Sequence, residues 1–196
     1  AYARFNWLAD RGEYSDAVEM ILDRSTSGAA LGEPFRWSGW RRVLARWEMR
    51  QGRAAQAYTV ASRHYLSEGA AYAALAWLSG YLSLTYLGDP TQALGHFENG
   101  LRASSSPISV SRMQYWIGRA QEVKGDTDAA AAAFSAAADH QTAFYGLLAS
   151  ERVGRPLDAM WATTPAAWED APVFEQPVVR AALMLLAAGE RGSAFT

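Results

Sequence analysis

The sequence predicts an all-α chain built as an α-solenoid, a superhelix of stacked helical hairpins. Three observations carry this expectation. Alanine supplies 39 of the 196 residues, whereas Val, Ile and Thr together supply 21. Alanine is the strongest helix former and β-branched residues favour strands, so a sheet-based fold is disfavoured. The second observation is a repeat. A glycine is followed five residues later by alanine, and four residues later by another apolar or small side chain. The pattern occurs as Gly12, Ala17, Ile21; Gly52, Ala57, Ala61; Gly88, Ala93, Phe97; and Gly125, Ala130, Phe134. The glycines are 40, 36 and 37 residues apart, the period of stacked helical hairpins. The third observation is the set of start signals. Asp89 before Pro90, and Ser106 before Pro107, read as N-caps followed by proline at the first helical position.

The physical role of each repeat position follows. Glycine ends the first helix of a hairpin, where a left-handed residue is needed. Alanine sits one turn into the second helix and lets the two helices approach. The residue four later shares its face and packs into the groove between them. Read in order, the chain places helices at 3–10, 14–24, 35–51, 53–66, 70–87, 90–103, 107–124, 127–138, 141–153 and 177–188. Gly32-Glu33-Pro34 opens the third of these, and Asp126 caps the eighth. The stretch from Gly69 to Gly88 carries no formal charge. Its serines, threonine, glycines and alanines make it a buried helix and not a membrane span.

The hairpins at 70–103 and 107–138 carry most of a tetratricopeptide signature, with Trp77 at its tryptophan position and Ile117-Gly118-Arg119-Ala120 ahead of Gly125-Asp126. The expected organisation is a superhelix over 1–140, continued over 141–196 by linker-like helices. The stretch 155–177 holds Pro156, Pro165, Pro172 and Pro177 with Trp161 and Trp168, and reads as a crossing segment packed on the helices. Gly189 and Ala194 resume the repeat spacing where the sequence stops. With Ala1 at the other end, this reads as a piece cut from a longer solenoid.

Composition excludes several functions. Half the residues are hydrophobic and 19% are charged, so the chain is too apolar for disorder. A formal net charge of −2 gives no basis for non-specific nucleic-acid binding. The absence of cysteine excludes disulfides, thiolate zinc sites and a cysteine nucleophile. His64, His96 and His140 are far apart with no ligand spacing. No phosphate loop or nucleophile elbow is present. Glu169-Asp170 reads as a solvated turn and Asp126/Asp128 as a helix start, not as an acid/base pair. No metal and no cofactor is expected.

The strongest charge cluster is Arg42, Arg46, Arg50 and Arg53, preceded by Arg36 and Arg41. Positions 42, 46 and 50 share one helical face, and only Glu48 is near enough to pair with it. The plain reading is a solvated face; the sharper one is a face for an anionic polymer or partner, since guanidinium matches carboxylate bidentately. Trp37, Trp40 and Trp47, and Tyr115 with Trp116, fall at helical spacings and could stack on sugars, but read first as packing between helices. Phe97 and Phe144-Tyr145-Gly146 read as packing too, with His96 facing a groove or solvent.

Three stretches then carry a resemblance. RRVLARWEMRQGR at 41–53, the region 57–101 with ALGHF at 93–97, and the region 107–154 with PISVSRMQYWIGRA at 107–120 and AFYGLLASERVG at 143–154 resemble the soluble lytic murein transglycosylases. In that family these segments belong to a helical superhelix ahead of a lysozyme-like catalytic domain. The resemblance implies a periplasmic protein of a Gram-negative bacterium. Its parent would cleave the β-1,4 bond between N-acetylmuramic acid and N-acetylglucosamine, leaving 1,6-anhydromuramoyl ends. The catalytic glutamate of the family lies in a Glu-Ser motif, with Gly-Leu-Met-Gln downstream, and neither motif occurs here. Ser150-Glu151 has the reverse order. No catalytic residue is therefore carried over. The implied partners are peptidoglycan, the missing catalytic domain and cell-wall proteins, with no nucleic acid. The competing expectation is a tetratricopeptide-like scaffold for protein partners, without a link to murein.

Overall fold

The computed structural model describes residues 1–161, 171–190 and 192. Among them every regular element is helical. The α-helices are α1 (Tyr2–Asp10), α2 (Tyr14–Arg24), α3 (Gly28–Leu31), α4 (Pro34–Arg50), α5 (Ala54–Ser62), α6 (Gly69–Thr85), α7 (Pro90–Arg102), α8 (Pro107–Lys124), α9 (Thr127–Ala138), α10 (Phe144–Val153) and α11 (Pro177–Ala187). Two compact units divide the chain, residues 1–157 and 158–196.

Local chemistry sets the boundaries. Asp89, Ser106 and Asp126 accept the backbone N–H of Gln92, Ser109 and Ala129 through their side chains, as their N-cap positions require. Gly12, Gly52, Gly88 and Gly125 have φ of 79°, 78°, 67° and 84°, the left-handed turn that closes a helix. At the fourth of these, Gly125 and Asp126 donate back to the carbonyls of Glu122 and Gln121. Gly189 closes α11 in the same way, with φ 86°. Ala194 lies outside the described residues.

In the first unit, helices pack on their sequence neighbours in the pairs α1–α2, α4–α5, α6–α7 and α8–α9. Contacts also run between next-but-one helices, α4 with α6, α6 with α8 and α8 with α10. The repeat positions are the core of these pairs: Ala17, Ile21, Ala57, Ala61, Ala93, Phe97, Ala130 and Phe134 are all buried. Glycines make the closest approaches. A Cβ on Gly80 would sit 2.5 Å from the Phe97 ring, and one on Gly118 would sit 2.6 Å from the Phe134 ring. Each phenylalanine thus packs against bare backbone of the preceding helix.

Three local expectations need correction. The helix expected at 53–66 ends at Ser62. Beyond it Tyr65 adopts φ 54° and its hydroxyl donates to the Ser25 carbonyl at 3.0 Å, while Leu66 N–H donates to His64 Nδ1 at 3.0 Å. Tertiary anchoring to the end of α2 pulls this segment out of helical geometry. The helix expected to start at 141 starts at Phe144, after a turn closed by Ala143 N–H on the His140 carbonyl. A Cβ on Gly146 would meet that carbonyl oxygen at 1.9 Å. The short α3 was not expected; Ser27 caps it through Ala30 N–H at 3.1 Å.

The second unit, taken by itself, has 3-10 turns at Ala159–Trp161 and Pro172–Glu175, the latter packed on α11. No described side chain of α11 is buried. Trp168, Pro165 and Glu169-Asp170 lie outside the described residues, as does any packing of that segment's tryptophans. No helix among the described residues is long and apolar enough to cross a membrane, and α6 instead buries Leu75, Leu78 and Leu82.

Gly146→Ala and Gly118→Ala are expected to lower stability, the first more than the second. Its new Cβ meets backbone, whereas that of Gly118→Ala meets a ring; overpacking of the latter kind costs about 1–3 kcal/mol. Gly95→Ala, mid-helix with open space around its Cβ, is expected to raise stability by about 0.5–1 kcal/mol. Urea unfolding of the three variants checks the order; equal midpoints for Gly146→Ala and Gly95→Ala would contradict it.

Candidate functional site

The arginine-rich helix α4 starts with Pro34 at its first turn and runs seventeen residues. Its arginines divide according to the face each occupies. Arg41 points inward and is fully buried. Its Nη1 donates to the Val60 carbonyl at 2.7 Å and its Nη2 to Ser25 Oγ at 2.5 Å. Burial pulls its pKa down to about 10, so the guanidinium remains charged at neutral pH. Arg41 therefore ties α4 to α2 and α5 and has no part in a surface cluster.

Arg53 leaves the expected face as well. Glu48 is 1% exposed, and Arg53 grips it bidentately, Nε to Oε2 at 2.5 Å and Nη2 to Oε1 at 3.1 Å. The guanidinium lies 4.9 Å from the Trp47 ring centroid. This pair compensates a buried carboxylate, and losing one partner of such a pair is costly. Arg42 and Arg50 are exposed, and Arg46 between them is half-buried. Arg46 Nη1 donates to the Arg42 carbonyl at 3.0 Å, which fixes the side chain along the helix. Desolvation, then the charges of Arg42 and Arg50, lower its pKa.

A further arginine, Arg112, stands on α8. Its guanidinium stacks 5.0 Å from the Trp77 ring centroid on α6. Burial lowers its pKa; Tyr145 on α10 acts in the opposite sense, and Arg46 lowers it further. Its Nε is buried, and Arg112 has no hydrogen-bond acceptor or carboxylate among the described residues. Two neighbouring cations share one carboxylate. Glu122 pairs with Arg119 at 3.3 Å and with Arg152.

Around Arg112 runs a half-buried aromatic band. Trp77 stacks on Tyr81 at 5.4 Å, and Trp116 meets Tyr81 edge-on at 5.1 Å and Tyr145 at 6.4 Å. Such contacts are the favoured geometries of ring quadrupoles. The indole N–H groups of Trp77 and Trp116 are buried without acceptors. By contrast, Trp37 and Tyr115 are core residues; Trp37 is 2% exposed and donates to the Leu31 carbonyl at 3.2 Å. Trp40 is held by Asn6 Oδ1 at 3.1 Å.

Arg112 was missed in the sequence because it stands alone among neutral residues. A signal existed: Arg112, Trp116 and Arg119 recur at four and three residues, one stripe of α8.

His64 and His96 serve packing. His64 is buried beside Tyr72 at 5.4 Å, and desolvation, with smaller effects of Arg41 and His96, pulls its pKa to about 4. His96 is half-buried, its Nε2 2.9 Å from the Tyr58 hydroxyl, and burial lowers its pKa too. No group of three His, Asp or Glu side chains among the described residues could hold a metal ion. Asp126 is a cap. A separate cavity of about 680 Å³ lies at α1–α3, where Arg4 and Arg24 mix with Asp16, Glu19 and Asp23.

No protein-family model, curated protein or solved structure matches the chain.

Because His64 and His96 have lower pKa values folded than unfolded, the unfolded chain takes up more protons as pH falls through 6.5. Stability is therefore expected to be full above about pH 6.5 and to decline progressively toward pH 4. In His64→Phe that decline should be shallower, measured as urea midpoints from pH 7 to pH 4. An unchanged slope would contradict the assignment.

Proposed function

We propose that the chain is the non-catalytic superhelical segment of a periplasmic soluble lytic murein transglycosylase, an α-solenoid of tetratricopeptide-like hairpins that helps hold the glycan near the catalytic domain. The observation that carries this reading is the conjunction of the family-like stretches 41–53, 57–101 and 107–154 with the packing of those same stretches. Their helices pair along the chain, and α4, α6, α8 and α10 also contact one another in succession. Hairpins joined this way expose one long face made from the first helix of each pair, the geometry solenoids use for extended ligands. Here that face carries arginines and half-buried aromatic rings, which suits an acidic, sugar-rich polymer better than an apolar helix.

Neither the Glu-Ser motif nor a Gly-Leu-Met-Gln motif occurs in the sequence, so murein cleavage would belong to a domain outside these 196 residues. Hairpin repeats also suit a second reading, a scaffold for protein partners.

The purified chain is expected to co-sediment with murein sacculi in low salt and to release no anhydromuropeptides. Cleavage products seen by chromatography would overturn the non-catalytic assignment. Failure to sediment would favour the scaffold.

A further inference from the structure

We infer that Arg112, Trp77 and Trp116 form a binding site for a carboxylate-bearing sugar unit, with Tyr81 and Tyr145 extending its aromatic wall. The inference rests on the proposed function and specifies where the polymer is held. It moves the site from the arginine row of α4 to the helices α6, α8 and α10, which contact one another in succession.

Direct contacts hold the site together. The Arg112 guanidinium lies 5.0 Å from the Trp77 ring centroid, so α8 reaches α6 at that point. One turn further along α8, Trp116 meets Trp77 edge-on at 6.2 Å and Tyr81 edge-on at 5.1 Å. Tyr81 stacks on Trp77 at 5.4 Å, and Tyr145 joins from α10 at 6.4 Å from Trp116. All five side chains are half-buried, which leaves part of each at the surface.

Arg112 is ordered before any ligand arrives. Stacking on an indole fixes the plane of its guanidinium. Its Nε is sealed from solvent, so the two Nη groups form its open edge. Such an edge takes a carboxylate bidentately, one oxygen at each nitrogen. Arg119 on α8 and Arg152 on α10 share Glu122, whereas Arg112 meets no carboxylate among the described residues.

A sugar fits the rest of this surface better than an acidic peptide. Sugar rings present flat C–H surface with hydroxyls at the rim, which pairs with aromatic rings. The donor balance points the same way. The indole N–H groups of Trp77 and Trp116 find no acceptor, and neither does Arg112 Nε. A patch with surplus donors favours a ligand rich in oxygen acceptors and disfavours ammonium groups. An acidic peptide shares the carboxylate but offers few flat C–H faces.

The test uses the whole ¹⁵N-labelled chain, titrated with peptide-free murein glycan strands whose lactyl groups carry free carboxylates. Saturable shifts are expected at the indole N–H of Trp77 and Trp116. Methyl esterification of the strands and, separately, Arg112→Gln should each weaken binding by about tenfold or more, the scale of one charge-assisted bidentate contact. Esterification leaves the protein untouched, so that arm decides even where Arg112→Gln unfolds. Arg50→Gln, in the exposed row of α4, should bind as the unaltered chain does. Equal binding of esterified strands, or a loss with Arg50→Gln as large as that with Arg112→Gln, would overturn the site. Tighter binding of polyglutamate than of the strands would overturn the sugar assignment. If the unaltered chain co-sediments with sacculi but the strands leave both indoles unshifted, this site is wrong while the superhelix reading stands; if it binds neither strands nor sacculi, both fail.

Discussion

A phenylalanine ring on the second helix of a hairpin fills the gap that a glycine leaves on the first. Phe97 does this against Gly80, and Phe134 against Gly118, each at a distance that any Cβ would violate. Burying a phenylalanine this completely contributes about 1.5–3 kcal/mol, and the bare backbone lets the helices approach further than two side chains would permit. The flanking alanines, Ala93 and Ala130, serve the same approach one turn earlier. With these two hairpins closed, α6 and α8 lie near enough to touch each other, and each extends the row to α4 and α10. The contact of Arg112 on α8 with Trp77 on α6 depends on that spacing.

Buried charge is the second organising element. Arg41 and Glu48 lie two turns apart on α4, yet both face inward. Arg41 spends its donors on Ser25 and the Val60 carbonyl, so it fastens α4 to α2 and α5. Glu48 is balanced by Arg53, which belongs to the turn after the helix. Buried charges of this kind contribute little net stability, but they penalise any register that leaves one without its partners. They help to fix how α4 is rotated, and hence which of its remaining arginines reach the open face.

What is left on that face is a small set of groups without internal partners beside a continuous band of rings. The band is half-buried, held by ring contacts among α6, α8 and α10. Rigid aromatic surface with preordered guanidinium groups loses little entropy on binding. An elongated acidic ligand, touching several such helices in turn, would gain from that order along its whole length.

Much of the fold was legible in the sequence because its signals are local. Glycine five residues before alanine marks a left-handed helix end and a close helix pair at Gly12, Gly52, Gly88 and Gly125. Asp89, Ser106 and Asp126 act within three residues of themselves. The irregular stretch after Ser62 was not legible, because it depends on Tyr65 reaching Ser25, forty residues away. The candidate site divides in the same way. The sequence by itself determined that α4 carries a row of arginines, since a spacing of four is a helical face. Only the tertiary structure decided which of them are available. Arg41 was removed by burial and Arg53 by Glu48. Helical periodicity is a property of adjacent residues, whereas burial and pairing are properties of helices that meet only once the hairpins have closed.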